Sequence, residues 1–502
     1  MRSKWVLVLA TAVLLPLSAF AQSDGYYDRS YTRMSFVQGD VYVQRAQGQG
    51  YEQGQINLVV VEGDKLGTKS GRLETQLGRG NYLRLDSGTQ VDVAGLPMAD
   101  GQPTKFHVLG GSVYIRVATL DREKNFEIHT PDASFYILRE GLYRVDVQPS
   151  GETVFGVLEG AAEGAGQEGS IVIEEGQRVS AADGRFVSEP SSLVARRDDF
   201  SAWNDTRDAL FAQRSTSTYL PAEYVDYETE LDSYGSWVNE SDYGSVWVPR
   251  GVDASWRPYS NGRWVWYPII GWTWVSYDPW GWSTHHYGRW GWGAGLGWYW
   301  IPRDHWRWGP AWVDWWGYGD YYGWCPLSYW DRPAYIFNNR FYGRYDRFQH
   351  RDFRGFDRSM TVVRRDQLHN RNIRDVAIGA GRLGGQMAGV DFRGGRPGFA
   401  SPTRAGDAGI EARASAAFSG RGARTVDHGY AGNGTRLSAG EIRSSGSFGR
   451  SGAGQARSIR SYPSQNGRND AFGLSSTRPL ASGSRGYSSP SASRGNPSSG
   501  SS

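Results

Sequence analysis

The sequence predicts a mainly β protein, and three observations predict it. Short alternating apolar runs punctuated by Gly and Asp fill residues 34–190, Trp-x-Trp runs recur at a fixed interval over 230–332, and only 191–218 shows a helical period. The organisation expected is an all-β domain, an amphipathic linker helix, a β-hairpin repeat array, and a largely disordered Arg/Gly/Ser-rich tail over 333–502.

Residues 1–21 read as a cleavable secretory signal: Arg2 and Lys4, an apolar run from Trp5 to Leu17, then Ala19-Phe20-Ala21. The run is shorter than the roughly 20 residues a spanning helix needs, so cleavage is expected over retention as an anchor. The mature chain then has no transmembrane segment, and the protein is expected in the periplasm or outside the cell, associated with the envelope. The single Cys325 cannot form an internal disulfide, so stability must come from packing or a partner. The net charge of +3 hides an asymmetry, because 27 Arg, no Lys and 11 acidic residues follow Asp331, leaving the body net acidic.

In the first domain, Val41-Tyr42-Val43, Tyr82–Leu85, Val113–Val117, Tyr143–Val147 and Ile171-Val172-Ile173 read as strands. Glu62-Gly63-Asp64, Asp86-Ser87-Gly88 and Pro149-Ser150-Gly151 read as the turns between them. The series SFVQGDVYVQR, EGDKLGTKSGRLETQL, NYLRLDSGTQVDV, LGGSVYIRV, FEIHTPDASFYI, VFGVLEG and IVIEEGQRVSA resembles, in this order, the periplasmic domain of the FecR regulator family. The family often has Gly-Thr after its Thr-Pro motif, where this chain reads Glu140-Gly141-Leu142-Tyr143. The resemblance implies an all-β fold and an envelope protein partner. Signalling members of the family carry a cytoplasmic segment ahead of a membrane helix, where this chain has a signal peptide, so a stand-alone envelope version is expected and a signalling module is the alternative.

Over 191–218, Phe200, Trp203, Leu210 and Phe211 fall near one helical face, with Arg196, Asp198 and Arg207 elsewhere, which predicts a connector docking its aromatic stripe on a neighbouring domain. Beyond it, 20 of the chain's 22 tryptophans lie between Trp237 and Trp330. Gly262-Arg263-Trp264-Val265-Trp266 and Gly271-Trp272-Thr273-Trp274-Val275 repeat 26 residues later as Gly288-Arg289-Trp290-Gly291-Trp292 and Gly297-Trp298-Tyr299-Trp300-Ile301. Gly235, Trp237, Gly244 and Trp247 form an earlier copy, and Trp316, Tyr318, Gly323 and Trp324 a degenerate fourth. Each unit reads as a hairpin whose indoles share one face, and a lone hairpin is unstable in water, so the units must share a core.

So many indoles exceed what a small interior is expected to enclose, which predicts exposed aromatic faces. The candidate binding residues are Trp264, Trp266, Trp272, Trp274, Trp290, Trp292, Trp298, Trp300 and Tyr287, with Arg263 and Arg289 alongside. Flat indoles beside cations suit sugar rings and cationic groups, so the expected partner is envelope polysaccharide or peptidoglycan; pure structural packing is the competing reading. The stretch YGSWVNESDYGSVWVP through HHYGRW resembles a Trp-rich domain of unknown function that commonly follows a FecR-type domain in bacterial envelope proteins, and is similar in style only to choline-binding wall repeats.

Asp278, Asp304, Asp314 and Asp320 could serve a glycosidase, but Asp278 and Asp304 are repeat-equivalent turn residues. His285, His286 and His305 with Cys325 lack metal-ligand spacing, since adjacent histidines on a strand would point to opposite faces. No catalytic residue, metal site or cofactor is therefore assigned, and the chain is expected to be non-enzymatic, with a glycoside hydrolase as the weakest alternative. The Arg-rich tail cannot bury a core, with one short strand or helix expected in 361–378; it reads first as a plain solvated tail, and the partner its charge would suit is an anionic polymer.

Overall fold

The structure, a computed structural model, describes residues 31–379 apart from 47–49, 97–101, 121–125, 195–196, 213–218, 269, 345–357 and 370, together with 408–418. The expected signal peptide and most of the expected tail lie outside the described residues. The protein is mainly β, and residues 32–192 build one 16-stranded sheet. Three long strands, Thr32–Gln44, Lys65–Gly78 and Thr104–Val117, organise it. All pairings are antiparallel except that of Thr104–Val117 with Phe126–His129. Each strand expected above lies in an observed one, and Gly63, Gly88 and Gly151 supply the positive φ that the intervening turns require. Val41, Val43, Leu66, Leu83, Val113, Ile115 and Val145 share the core.

Helix α1 (Asp199–Ala212) is the connector, although Ser191-Ser192 pairs with the Gln177–Ala182 strand instead of starting the helix. Its docking differs from the expected aromatic stripe. Phe200 is buried against Tyr114 and Trp203 meets Phe36, but Leu210 is exposed. Ionic groups replace it: Arg207 donates to buried Glu74, and Asn204 and Asp208 accept from Arg84, at 2.6–2.7 Å. The sheet presents a buried Arg84–Glu74 pair there, and a leucine would leave its remaining hydrogen-bonding groups without the partners that α1 supplies.

Helix α2 (Glu228–Tyr234) leads into four hairpins: Gly235–Glu240 with Gly244–Pro249, Gly262–Tyr267 with Gly271–Ser276, Arg289–Gly293 with Gly297–Ile301, and Val313–Tyr318 with Tyr321–Pro326. They match the repeat units, but they are not a serial stack. The first hairpin bonds to the third through Trp247 opposite Trp300, whereas the second forms its own two-stranded sheet. Helix α3 (Gly281–His286) lies between the second and third, where the sequence reading had put both histidines on a strand.

The fourth unit departs in register. Its loop, Gly319-Asp320, is one residue shorter than the three-residue loops of the others, so Trp315 rather than Trp316 opposes Trp324. Trp316 turns to the other face, covered by Cys325, Tyr335, Met360 and Val362. Part of the expected tail is therefore folded: Thr361–Arg364 adds a third strand to this hairpin, and helices α4 (Ile373–Val376) and α5 (Ala408–Phe418) follow.

The repeated glycines have a steric cause. A Cβ on Gly235 would sit 2.1 Å from the Trp247 ring, one on Gly262 2.7 Å from Trp274, and one on Gly288 2.2 Å from Trp300. In these three hairpins the indole of the second strand lies across the glycine that opens the unit.

Buried arginines join the β module to the hairpins. Arg33 donates to Gln76, Asn57 and Glu230 at 2.6–2.8 Å and lies over Tyr227 and Trp282. Arg45 donates to Glu52 and Asp64 at 2.7 Å and to the Tyr267 hydroxyl at 3.1 Å, while Arg263 completes the cluster on Glu52. Asn57 donates to the carbonyls of Ser276 and Asp278, and Gly80 N–H to Asp226. Burial opposes the charge on Arg45, but Tyr267, Glu52 and Asp64 hold its pKa well above the ordinary value.

Two outcomes follow from these contacts. Arg45→Ala leaves buried Asp64 without its cation, and Glu52 with Arg263 alone, and should lower unfolding stability in urea by about 3–5 kcal/mol. Gly288→Ala, at φ 63° and against Trp300, should cost about 1–3 kcal/mol or more, read from the same melts.

Candidate functional site

The candidate aromatic site is an interior. Period-two alternation places Trp264, Trp266, Trp272 and Trp274 on one face of the second hairpin, as Trp264 opposes Trp274 and Trp266 opposes Trp272. That face meets the matching face of the fourth hairpin, with Trp264 4.4 Å from Trp315 and 5.5 Å from Trp324 between ring centroids. In the third hairpin Trp290 packs on Trp256, and Trp300 on Trp306 and Trp237. The indole N–H groups of Trp247, Trp290, Trp300 and Trp324 donate to the carbonyls of Leu231, Thr284, Tyr287 and Tyr259 at 2.8–2.9 Å. These rings fill space and also satisfy buried backbone acceptors.

The expectation of broad exposed aromatic faces is thus corrected. Trp264, Trp274, Trp290, Trp298 and Trp300 are buried, as is Tyr287. So is Arg289, which donates to Asp331 and lies over Trp312 at 3.8 Å. Arg263 is turned to Glu52. The physical reason is that the faces of different hairpins cover one another, so the interior belongs to the whole set. Trp266, Trp272 and Trp292 remain half-buried at the loop ends of the second and third hairpins. Two further aromatic contacts escaped sequence reasoning: His369 lies 5.1 Å from Trp272, and Trp330 is 45% exposed with the Arg344 guanidinium over its ring. Both come from outside the repeat period, which is why periodicity gave no signal for them.

All six residues of α3 are buried. His285 donates from Nδ1 to the Gly281 carbonyl at 2.9 Å and accepts the Tyr259 N–H on Nε2, which fixes one neutral tautomer. His286 donates to the Gly309 carbonyl at 2.8 Å and stacks on Trp308. Burial pushes His285 down to about 3 and His286 to about 4. These are core histidines. Among the described residues no group of three His, Cys, Asp or Glu is placed to hold a metal.

The repeat-equivalent aspartates occupy different surroundings. Asp278 is buried, accepts from Trp256 and Asn261, and is pushed up to about 6 by burial. Asp304 is exposed and accepts from the Tyr329 hydroxyl. One further arrangement has the form of a hydrolase relay: Ser134 Oγ lies 2.9 Å from His129 Nδ1, and His129 Nε2 lies 3.0 Å from Glu127 Oε2, which also receives Lys105. Ser134 is completely buried in the β module, so its hydroxyl cannot meet a substrate, and the relay is structural.

Against known proteins, residues 228–331 match a Family of unknown function (DUF6600), which places a DUF6600 domain over α2 and the hairpins. Parts of the chain are similar to two crystal structures of a proposed anti-sigma factor from Parabacteroides distasonis ATCC 8503. Each has a TM-score of 0.23, at 12% and 13% identity, covering 35% and 36% of this chain and 95% and 97% of theirs. No curated protein matches the sequence. Among the described residues no helix is long and apolar enough to cross a membrane.

The buried histidines set a pH dependence. Each is neutral in the fold and has an ordinary pKa of about 6.5 when unfolded, so the unfolded chain binds more protons as pH falls below that value. Their contribution is complete above pH 6.5 and is lost toward pH 4 and 3, at up to about 1.4 kcal/mol per pH unit for each. Asp278 and Asp314, both raised to about 6, act in the opposite sense below pH 6. Urea melts should therefore show stability falling from pH 7.5 to 6, and His286→Gln should reduce that slope.

Proposed function

We propose that this protein is an exported, non-catalytic envelope scaffold, in which a FecR-like β module and a DUF6600 domain fused into one rigid body hold a small aromatic patch against cell-surface glycan. The observation that carries this reading is the division of labour among the tryptophans. Most are consumed in a shared interior, which gives the domain stiffness without disulfides, while Trp266, Trp272 and Trp292 retain open surface at loop ends. An indole pair at 5.7 Å with interplanar angle 66°, flanked by His369, offers ring surface to a sugar. Preorganisation limits the entropy cost of binding, because the scaffold fixes the rings in advance.

The buried arginine junction also dictates how this is tested. A fragment containing only the hairpins would expose Tyr267, Trp282 and Asp278, which the β module covers, so the full mature chain is the proper reagent. Pull-down of that chain on insoluble peptidoglycan and on cellulose should retain it on one of them, and Trp266→Ala with Trp272→Ala should reduce retention at least about tenfold, about 1.4 kcal/mol, while far-ultraviolet circular dichroism shows the variant folded. Equal retention of the wild type and the double variant on every polymer would refute the patch.

A further inference from the structure

Helix α5 belongs by sequence to the Arg/Gly/Ser-rich tail, yet it is folded and seated on the β module. It packs across the strands Thr32–Gln44, Tyr51–Gln53 and Lys65–Gly78. Strand register defines the surface it covers: Tyr42 stands opposite Gly67 and Gln53, and Gln44 opposite Tyr51 and Lys65. Their neighbours Val41, Val43 and Leu66 point the other way, into the core. Tyr42 is therefore on the outer face, and it is nonetheless only 4% exposed.

The helix is shaped for this seat. Ile410, Ala414, Ala417 and Phe418 follow the i, i+4, i+7, i+8 spacing of one face, and Ala414 is fully buried, whereas Arg413 and Ser415 are exposed. Small residues let the backbone approach the sheet. At the helix end the Phe418 ring occupies the space that a side chain at position 67 would fill, 2.9 Å from where its Cβ would lie, and sits 5.7 Å from the Tyr51 ring. Gly67 thus forms the floor of an aromatic-walled notch. Residues 379–407 join Ile378 to Ala408, so α5 stays part of the same chain whether or not it is seated.

We infer that the outer face around Tyr42, Tyr51 and Gly67 is a recognition groove for a short helix with a small-residue stripe and a terminal aromatic ring, and that α5 is its tethered occupant. The tail then regulates the groove: a helix of this chemistry from another chain gains access only when α5 is displaced. Tethering raises the local concentration of α5 to the order of millimolar, so the seated state prevails until a tighter competitor arrives.

The test uses the full mature chain and a fluorescein-labelled peptide of residues 406–420, followed by anisotropy. Ala414→Arg combined with Phe418→Ser should unseat α5, because arginine does not fit the buried position and serine leaves the notch beside Tyr51 empty. This variant should bind the peptide at least about tenfold more tightly than the wild type, whose groove is filled. Adding Gly67→Val, which closes the notch without requiring an unusual backbone, should abolish that binding while near-ultraviolet circular dichroism stays native. Hydrogen exchange should also show residues 408–418 protected in the wild type and unprotected in the unseated variant. The inference is overturned if the unseated variant takes up no peptide, if wild type and variant bind alike, or if Gly67→Val leaves binding intact.

Discussion

A hairpin with tryptophans along one face cannot hide them by itself, and the architecture of residues 228–331 follows from that constraint. Each hairpin turns its paired indoles toward another hairpin, toward α3, or toward both. Close approach of the strands leaves no room for a side chain where an indole crosses the facing backbone, which is why Gly235, Gly262 and Gly288 recur with the tryptophans. The Gly-x-Trp rhythm is a packing rule written into the sequence. It also explains the neutral histidines, which are small polar rings filling the hub where a further indole would be too large.

Charge performs the complementary task at the junction with the β module. Arg33 and Arg45 each satisfy several acceptors from elements far apart in the chain, so the junction is specific as well as tight. Buried ion pairs add little net stability over apolar packing, but mispairing them is costly, and that asymmetry fixes one orientation of the two parts. The α1 helix obeys the same logic, with Arg207, Asn204 and Asp208 answering the Arg84–Glu74 pair.

Much of this was legible in the sequence. The strands of the β module, the helix near 199–212 and the four hairpins with their indoles on one face are local patterns, and local patterns survive folding. Which faces meet is a long-range matter, and here the reading of Trp264, Trp274, Trp290, Trp298 and Trp300 as exposed went astray, because composition counts rings without counting the partners that cover them. Trp316 was misplaced because a one-residue change in loop length shifts a register that sequence alignment cannot see. The His285 and His286 pair was assigned to a strand because a single helical turn is too short to show a period. In the tail, low overall hydropathy masked the Ile410–Phe418 stripe, whose small alanines score weakly although they fit the sheet closely.

The order in which the hairpins associate has an evolutionary consequence. In a solenoid each repeat touches only its neighbours in sequence, so copies can be gained or lost at an end with little disturbance. Here the first unit bonds to the third, the second faces the fourth, and the fourth is completed by Thr361–Arg364 from beyond the repeat. A duplicated fifth unit would find no free inward face, and a deleted one would open the interior of its opposite number. The copies have therefore become distinct, non-interchangeable parts, and the number four is locked by closure.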